Sequence, residues 1–92
     1  MSIKPGDFVI ATSGKDMGKC FVVLSVENQF VYLCNGKNRK IDIPKKKKIK
    51  HIEYQGRTNE MVCQALEKNE LTNKLVRRAI SEFSGYIKAE SN

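Results

Sequence analysis

The sequence predicts a mainly β domain with helices at its C-terminal end. Three observations carry that expectation. Before Tyr54 the apolar residues come in short runs broken by Gly, Asn and Pro, with no helical spacing. After Gly56 the apolar spacing changes to threes and fours, the period of a helix with one buried stripe. The chain has 92 residues, which suits one modest core and leaves too little buried surface for a second complete domain.

The first strand, DFVIA at residues 7–11, follows Gly6 and is rich in β-formers. SGKDMGK at residues 13–19 breaks it with two glycines and three charges. CFVVLSV at 20–26 sets Val22, Leu24 and Val26 on one face and Phe21 and Val23 on the other, so both faces meet core or a neighbour. Glu27, Asn28 and Gln29 then turn the chain into FVYLC at 30–34. Asn35-Gly36 is the strongest two-residue hairpin signal in the chain, because both residues tolerate the positive φ of a type I′ turn. On that reading KNRKIDI at 37–43 returns as the fourth strand, and Pro44 ends it by removing a ladder donor. IKHIEY at 49–54 is expected as a short fifth strand. Five short strands with tight turns are most economically a small β-barrel that hides its own edges.

Thr58 is placed to cap a first helix whose stripe is Met61, Val62, Ala65 and Leu66, with Asn69 as a left-handed terminator. Thr72 caps a second, in which Leu75, Val76, Ala79, Ile80 and Phe83 form the apolar face and Ser84-Gly85 the stop. Helices this short are marginal alone and are expected to dock. The expected organisation is therefore a β unit at 1–54, a helical hairpin at 55–85 packed on that unit or on a partner, and a flexible tail at 86–92.

Seventeen Lys and Arg against ten Asp and Glu give a formal charge of +7, which suggests a polyanionic partner. No apolar run approaches the roughly 20 residues of a membrane helix, and the opening residues lack the apolar core of a signal peptide. A cytoplasmic protein without a membrane partner is expected. Cys20, Cys34 and Cys63 are far apart and form no CxxC pair, so they read as reduced thiols packed as small apolar groups. His51 is the single histidine, which leaves no His-based metal site or triad. Asp16 follows Gly14-Lys15 where a phosphate-binding loop needs Ser or Thr, and Asp16 and Asp42 read as isolated carboxylates. Neither catalysis nor a cofactor is expected.

Charge is nevertheless organised. Residues 37–50 hold eight Lys or Arg and one acid, Asp42, and strand residues tether the segment at both ends. Lys15 and Lys19 form a second cluster in the first loop, where Gly14 and Gly18 let backbone N–H groups approach phosphates. The second helix adds a third basic face from Lys74, Arg77 and Arg78. With membrane signals missing, nucleic acid is the preferred polyanion. The candidate contact residues are Ser13, Gly14, Lys15, Gly18, Lys19, Lys37, Arg39, Lys40, Lys45, Lys46, Lys47, Lys48, Lys50 and His51. Phe30 and Tyr32 read as packing groups rather than as base-stacking ones, because an aromatic supplies much of so small a core.

Residues 6–26, GDFVIATSGKDMGKCFVVLSV, resemble the KOW motif of small SH3-like RNA-binding barrels: a strand, a basic glycine-containing loop and a second strand. Residues 35–52 resemble the basic continuation in bacterial KOW-domain proteins related to large-subunit ribosomal proteins of archaea and eukaryotes, which also carry helices after the barrel. Where the family usually reads Gly-Arg-Asp and Asp-Gly, this chain has Gly14-Lys15-Asp16 and Asn35-Gly36. The resemblance implies an SH3-like (KOW) barrel that binds ribosomal or other structured RNA without catalysis, in the company of ribosomal proteins or translation factors. A ribosome-bound location fits that picture, and a monomer is expected. The alternative is a protein-interaction module that recruits a translation or transcription factor through the barrel or the helices.

Overall fold

Alternating side chains and tight turns produce five antiparallel strands in the computed structural model, which describes residues 2–90. They are β1 (Asp7–Ala11), β2 (Cys20–Glu27), β3 (Phe30–Cys34), β4 (Lys45–Lys48) and β5 (Ile52–Thr58), in the order β4-β3-β2-β1-β5. Two helices follow, α1 (Glu60–Glu67) and α2 (Asn73–Glu90). The fold is mainly β with C-terminal helices, as the sequence predicts.

The sheet is not closed into a barrel. β4 and β5 are its two edges, joined by a single 3-10 turn at Ile49–His51. Each edge is blunted in its own way. β4 consists of four lysines, whose charge opposes pairing with another chain. β5 is kinked where Asp7 pairs with Thr58 but Val9 with Tyr54, and Gly56 sits in the resulting bulge at φ +73°.

The fourth strand is the main departure from expectation. Residues 37–43 make turns, and the ladder partner of β3 is the lysine run itself, with Phe30 opposite Lys48 and Leu33 opposite Lys45. Local chemistry explains the change. The Asn35 side-chain oxygen accepts the backbone N–H of Lys37 at 2.9 Å and of Arg39 at 3.0 Å, which closes a compact loop instead of a two-residue hairpin turn. Further along, the Ile41 N–H donates to the Asn73 side chain of α2 at 2.9 Å, which draws this segment to the helix and away from β3. Pro44 therefore precedes a strand rather than ending one, a place where its missing donor does no harm.

Successive residues of a strand point to opposite faces, and each face has its own core. Val9, Ala11, Phe21, Val23, Val31 and Leu33 pack on one side. On the other, Phe8, Val22 and Cys34 meet Val62, Val76, Ala79 and Phe83 from the helices. The rings of Phe8 and Phe83 stack at 4.4 Å between centroids, fastening α2 to β1.

The helices differ from expectation in three details. Asn59, not Thr58, caps α1 by accepting the Val62 N–H at 2.8 Å, because Thr58 still belongs to β5 and donates its hydroxyl to buried Asp7. Met61 is 57% exposed, so the α1 stripe is Val62, Ala65 and half-buried Leu66. Helix α2 does not stop at Ser84-Gly85 but runs to Glu90, since a lone Gly costs only about 1 kcal/mol against Ala. Residues 86–90 of the expected tail are thus helical, and residues 91–92 lie outside the described part of the chain. Asn69, at φ +56°, closes α1, and the Thr72 hydroxyl accepts the Leu75 N–H at the start of α2.

Candidate nucleic-acid interface

Alternation sorts the four lysines of β4. Lys45 and Lys47 share a face with Leu33 and Val31 and are half-buried, so their aliphatic stems lie on the side of the core that holds Val9, Phe21 and Leu33. Lys46 and Lys48 share the opposite face with Tyr32 and Phe30 and are exposed. Two of these cations have partners within the chain. The Lys47 ammonium donates to the Ser13 carbonyl at 2.7 Å, tying β4 to the β1–β2 loop. Lys46 places its ammonium 4.4 Å from the centroid of Phe30 and 5.9 Å from that of Tyr32, a cation–π arrangement.

Asp16 organises the loops. It is 3% exposed, and one of its oxygens accepts Arg39 Nε at 3.0 Å and Nη2 at 2.9 Å. The other accepts Asn38 Nδ2 at 3.2 Å and Lys19 Nζ at 3.3 Å. Burial alone pushes the carboxyl's pKa up, but hydrogen bonds from Arg39, Asn38 and Lys19, with the Arg39 charge, hold it below the ordinary aspartate value. The partners of Asp16 are thus cations and an amide rather than a second acid. A buried carboxylate must be paired, and two of its partners, Arg39 and Asn38, come from a loop distant in sequence, while Lys19 comes from its own loop.

The loop after β3 is also held from the other side. Gly36 lies against α2, where a Cβ would meet the Asn73 carbonyl oxygen at 2.5 Å and Arg77 Cγ at 2.8 Å. Arg77 Nη1 donates to the Gly36 carbonyl at 2.8 Å, and Arg78 pairs with Glu82 at 3.2 Å along the helix. Of the predicted third basic face, only Lys74 has a side chain without such a contact among the described residues.

The predicted contact residues thus fall into two groups. Arg39 and Lys47 tie their segments to the first loop, Lys19 is paired with Asp16 within that loop, and the Gly18 N–H is engaged by the Ala11 carbonyl at 2.8 Å. The His51 carbonyl accepts the Thr12 N–H at 2.9 Å, which fixes the turn before β5 beside the first loop. In contrast, the side chains of Lys15, Lys37, Lys40, Lys45, Lys48 and Lys50 make no hydrogen bond or ion pair among the described residues. All of these except half-buried Lys45 are exposed. Exposed Gly14 sits under the Lys47 ammonium, 3.2 Å from where its Cβ would be. An open groove of about 740 Å³ lies between the two loops and α2, and Lys19, Lys37 and Arg77 line it with Ile10, Cys20 and Ile80.

Burial pushes the Cys20 thiol up to about 11 and Cys34 up to about 12, so both are protonated at neutral pH and poor nucleophiles. Among the described residues no group of three or more His, Cys, Asp or Glu is arranged to hold a metal ion. No helix among them is long and apolar enough to cross a membrane. The organising roles of Asp16, Asn38 and Asn73 escaped sequence reasoning. The one available signal was a lone acid inside a basic glycine loop, a position where a carboxylate needs a cation from elsewhere. A scan against protein-family models finds no match, and a search of curated proteins finds no matching relative.

Proposed function

We propose that the protein is a non-catalytic RNA-binding module that grips the phosphates of ribosomal or other structured RNA, acting in the cytoplasm in association with ribosomes. One observation carries this reading: six lysine side chains, Lys15, Lys37, Lys40, Lys45, Lys48 and Lys50, have no partner among the described residues, yet they belong to loops and a strand that are fastened to one another. Like charges gathered on a folded body repel, and a polyanion relieves that repulsion while releasing its own counterions. Edge protection accounts for lysines on β4 but not for Lys15, Lys37 or Lys40, which lie in loops. The resemblance of residues 6–52 to KOW-domain proteins supports the same partner. Phosphate contacts set position and say little about sequence, so the shape of the RNA supplies selectivity.

The test is binding to structured RNA across a salt series, with Lys45, Lys48 and Lys50 changed together to Glu. Affinity is expected to fall by about 100-fold or more at low salt, and the slope of log affinity against log salt to flatten by about 0.7 to 0.9 for each phosphate that is no longer neutralised. An unaltered slope and affinity, with the circular-dichroism spectrum intact, would remove the assignment.

A further inference from the structure

We infer that the outer face of β3 and β4 is a stacking platform for unpaired RNA bases, built on Phe30 and Tyr32. The inference rests on the RNA-binding reading and names its substrate class: a single-stranded segment or loop rather than a duplex.

Neither ring belongs to a hydrophobic core, contrary to the expectation that both are packing groups, and the Lys46 ammonium lies near both. Phe8 and Phe83 belong to the helix-covered core and Phe21 to the other, whereas Phe30 and Tyr32 belong to neither cluster. They are only half-buried, on the same sheet face as Cys34, whose end of the sheet the helices cover. A bulge at Leu24, between the pairs Val23–Leu33 and Ser25–Tyr32, shifts the phase of β2. It brings polar Ser25 and Glu27 beside the rings, where unbroken alternation would have brought apolar side chains.

The register then fixes the surroundings. Tyr32 lies between Ser25 and Lys46, and Phe30 lies between Glu27 and Lys48. Residues two apart on a strand are about 6.6 Å apart, so each ring serves a separate base. Lysines stand along the β4 side and an acid along the β2 side, which directs a phosphate backbone over β4. In the free protein the exposed Lys46 ammonium occupies the π face of Phe30. A base that stacks there takes over that face, and the released ammonium stands beside the base's own phosphate. Stacking of this kind tolerates any base, and a duplex cannot offer it because its bases are already stacked inside.

The test compares three probes with the full chain at one salt concentration: a short oligouridylate, an abasic strand with the same number of phosphates, and a perfect RNA duplex. The oligouridylate is expected to bind at least about fivefold more tightly than the abasic strand, the lower end of what one stacked base contributes. Phe30→Leu and Tyr32→Leu keep apolar bulk and remove the ring. Each is expected to weaken oligouridylate binding by about fivefold or more and to leave the abasic strand and the duplex within about twofold. Equal binding of the oligouridylate and the abasic strand by the unaltered protein overturns the inference without recourse to any variant. So does a leucine variant that loses all three probes alike. Failure to bind any probe is a different result, because it removes the RNA-binding reading itself.

Discussion

Arg39 and Lys48 are nine positions apart in one basic segment, yet they do opposite things. Arg39 donates twice to one oxygen of a buried carboxylate and fixes two loops together, whereas Lys48 stands exposed on an edge strand with no ion pair among the described residues. The same contrast separates Lys19 from Lys15 in the first loop. A positive charge in a sequence is therefore not yet a positive charge on offer to a ligand. Part of a basic surface holds the remainder in place, and a substitution in one part reports on stability while a substitution in the other reports on binding.

The largest effect is expected at the centre of the organising group. Asp16→Asn leaves Arg39 and Lys19 without their acceptor charge, and thermal or denaturant unfolding is expected to show a loss of about 2 to 4 kcal/mol. Its pH dependence sharpens the point. The folded-state pKa of Asp16 lies below the ordinary 3.8, so its stabilising contribution is complete above that value and is lost as pH falls through the lower folded value. The Asn variant is expected to lose stability less steeply than the unaltered chain below about pH 3.8, as measured by unfolding at a series of pH values.

Gly36→Ala comes next. It drives a methyl group into the Asn73 carbonyl at a residue with φ +76°, and a loss of about 1 to 3 kcal/mol in stability is expected. If the loop is fixed by α2 as described, the same variant weakens RNA binding through Lys37 and Lys40 without removing any charge. Smaller still is the difference between Lys48→Gln and Lys19→Gln. The first is expected to reduce affinity for structured RNA about threefold and the salt slope by about 0.7 to 0.9, with stability within about 0.5 kcal/mol. The second is expected to reduce stability by about 0.2 to 1 kcal/mol and to leave the salt slope nearly unaltered, because its charge already has a partner. Equal salt slopes for the two variants would mean that both lysines meet the ligand alike. Arg78→Gln, which breaks an exposed pair with Glu82, marks the floor, with about 0.3 to 0.5 kcal/mol at most in stability.

Much of the fold is legible in the chain. The alternation of Phe21, Val22 and Val23 foretold that both faces of β2 meet apolar neighbours, though not that these divide into two cores, and the spacing of Val76, Ala79 and Phe83 foretold the apolar face of α2 that meets Phe8. Thr72 and Asn69 were correct as helix start and stop, because caps depend on backbone groups only a few residues away. The candidate site was less readable. Its basic residues were visible as charge, but which of them are engaged depends on Asp16 and Ser13, neither of which lies in the segment from Lys37 to Lys50.

By itself the sequence determined the class of fold, the two helices and the excess of positive charge, since each follows from composition or from periodicities a few residues long. Only the tertiary structure decided that the lysine run, not residues 37–43, would be the fourth strand. Asn35 closes its own loop, Asn73 holds Ile41 against α2, and the strand that remains to pair with β3 is Lys45–Lys48. Tertiary contacts likewise decided which cations are engaged, because a buried carboxylate selects its partners by distance in space, and 23 positions of sequence separate Asp16 from Arg39.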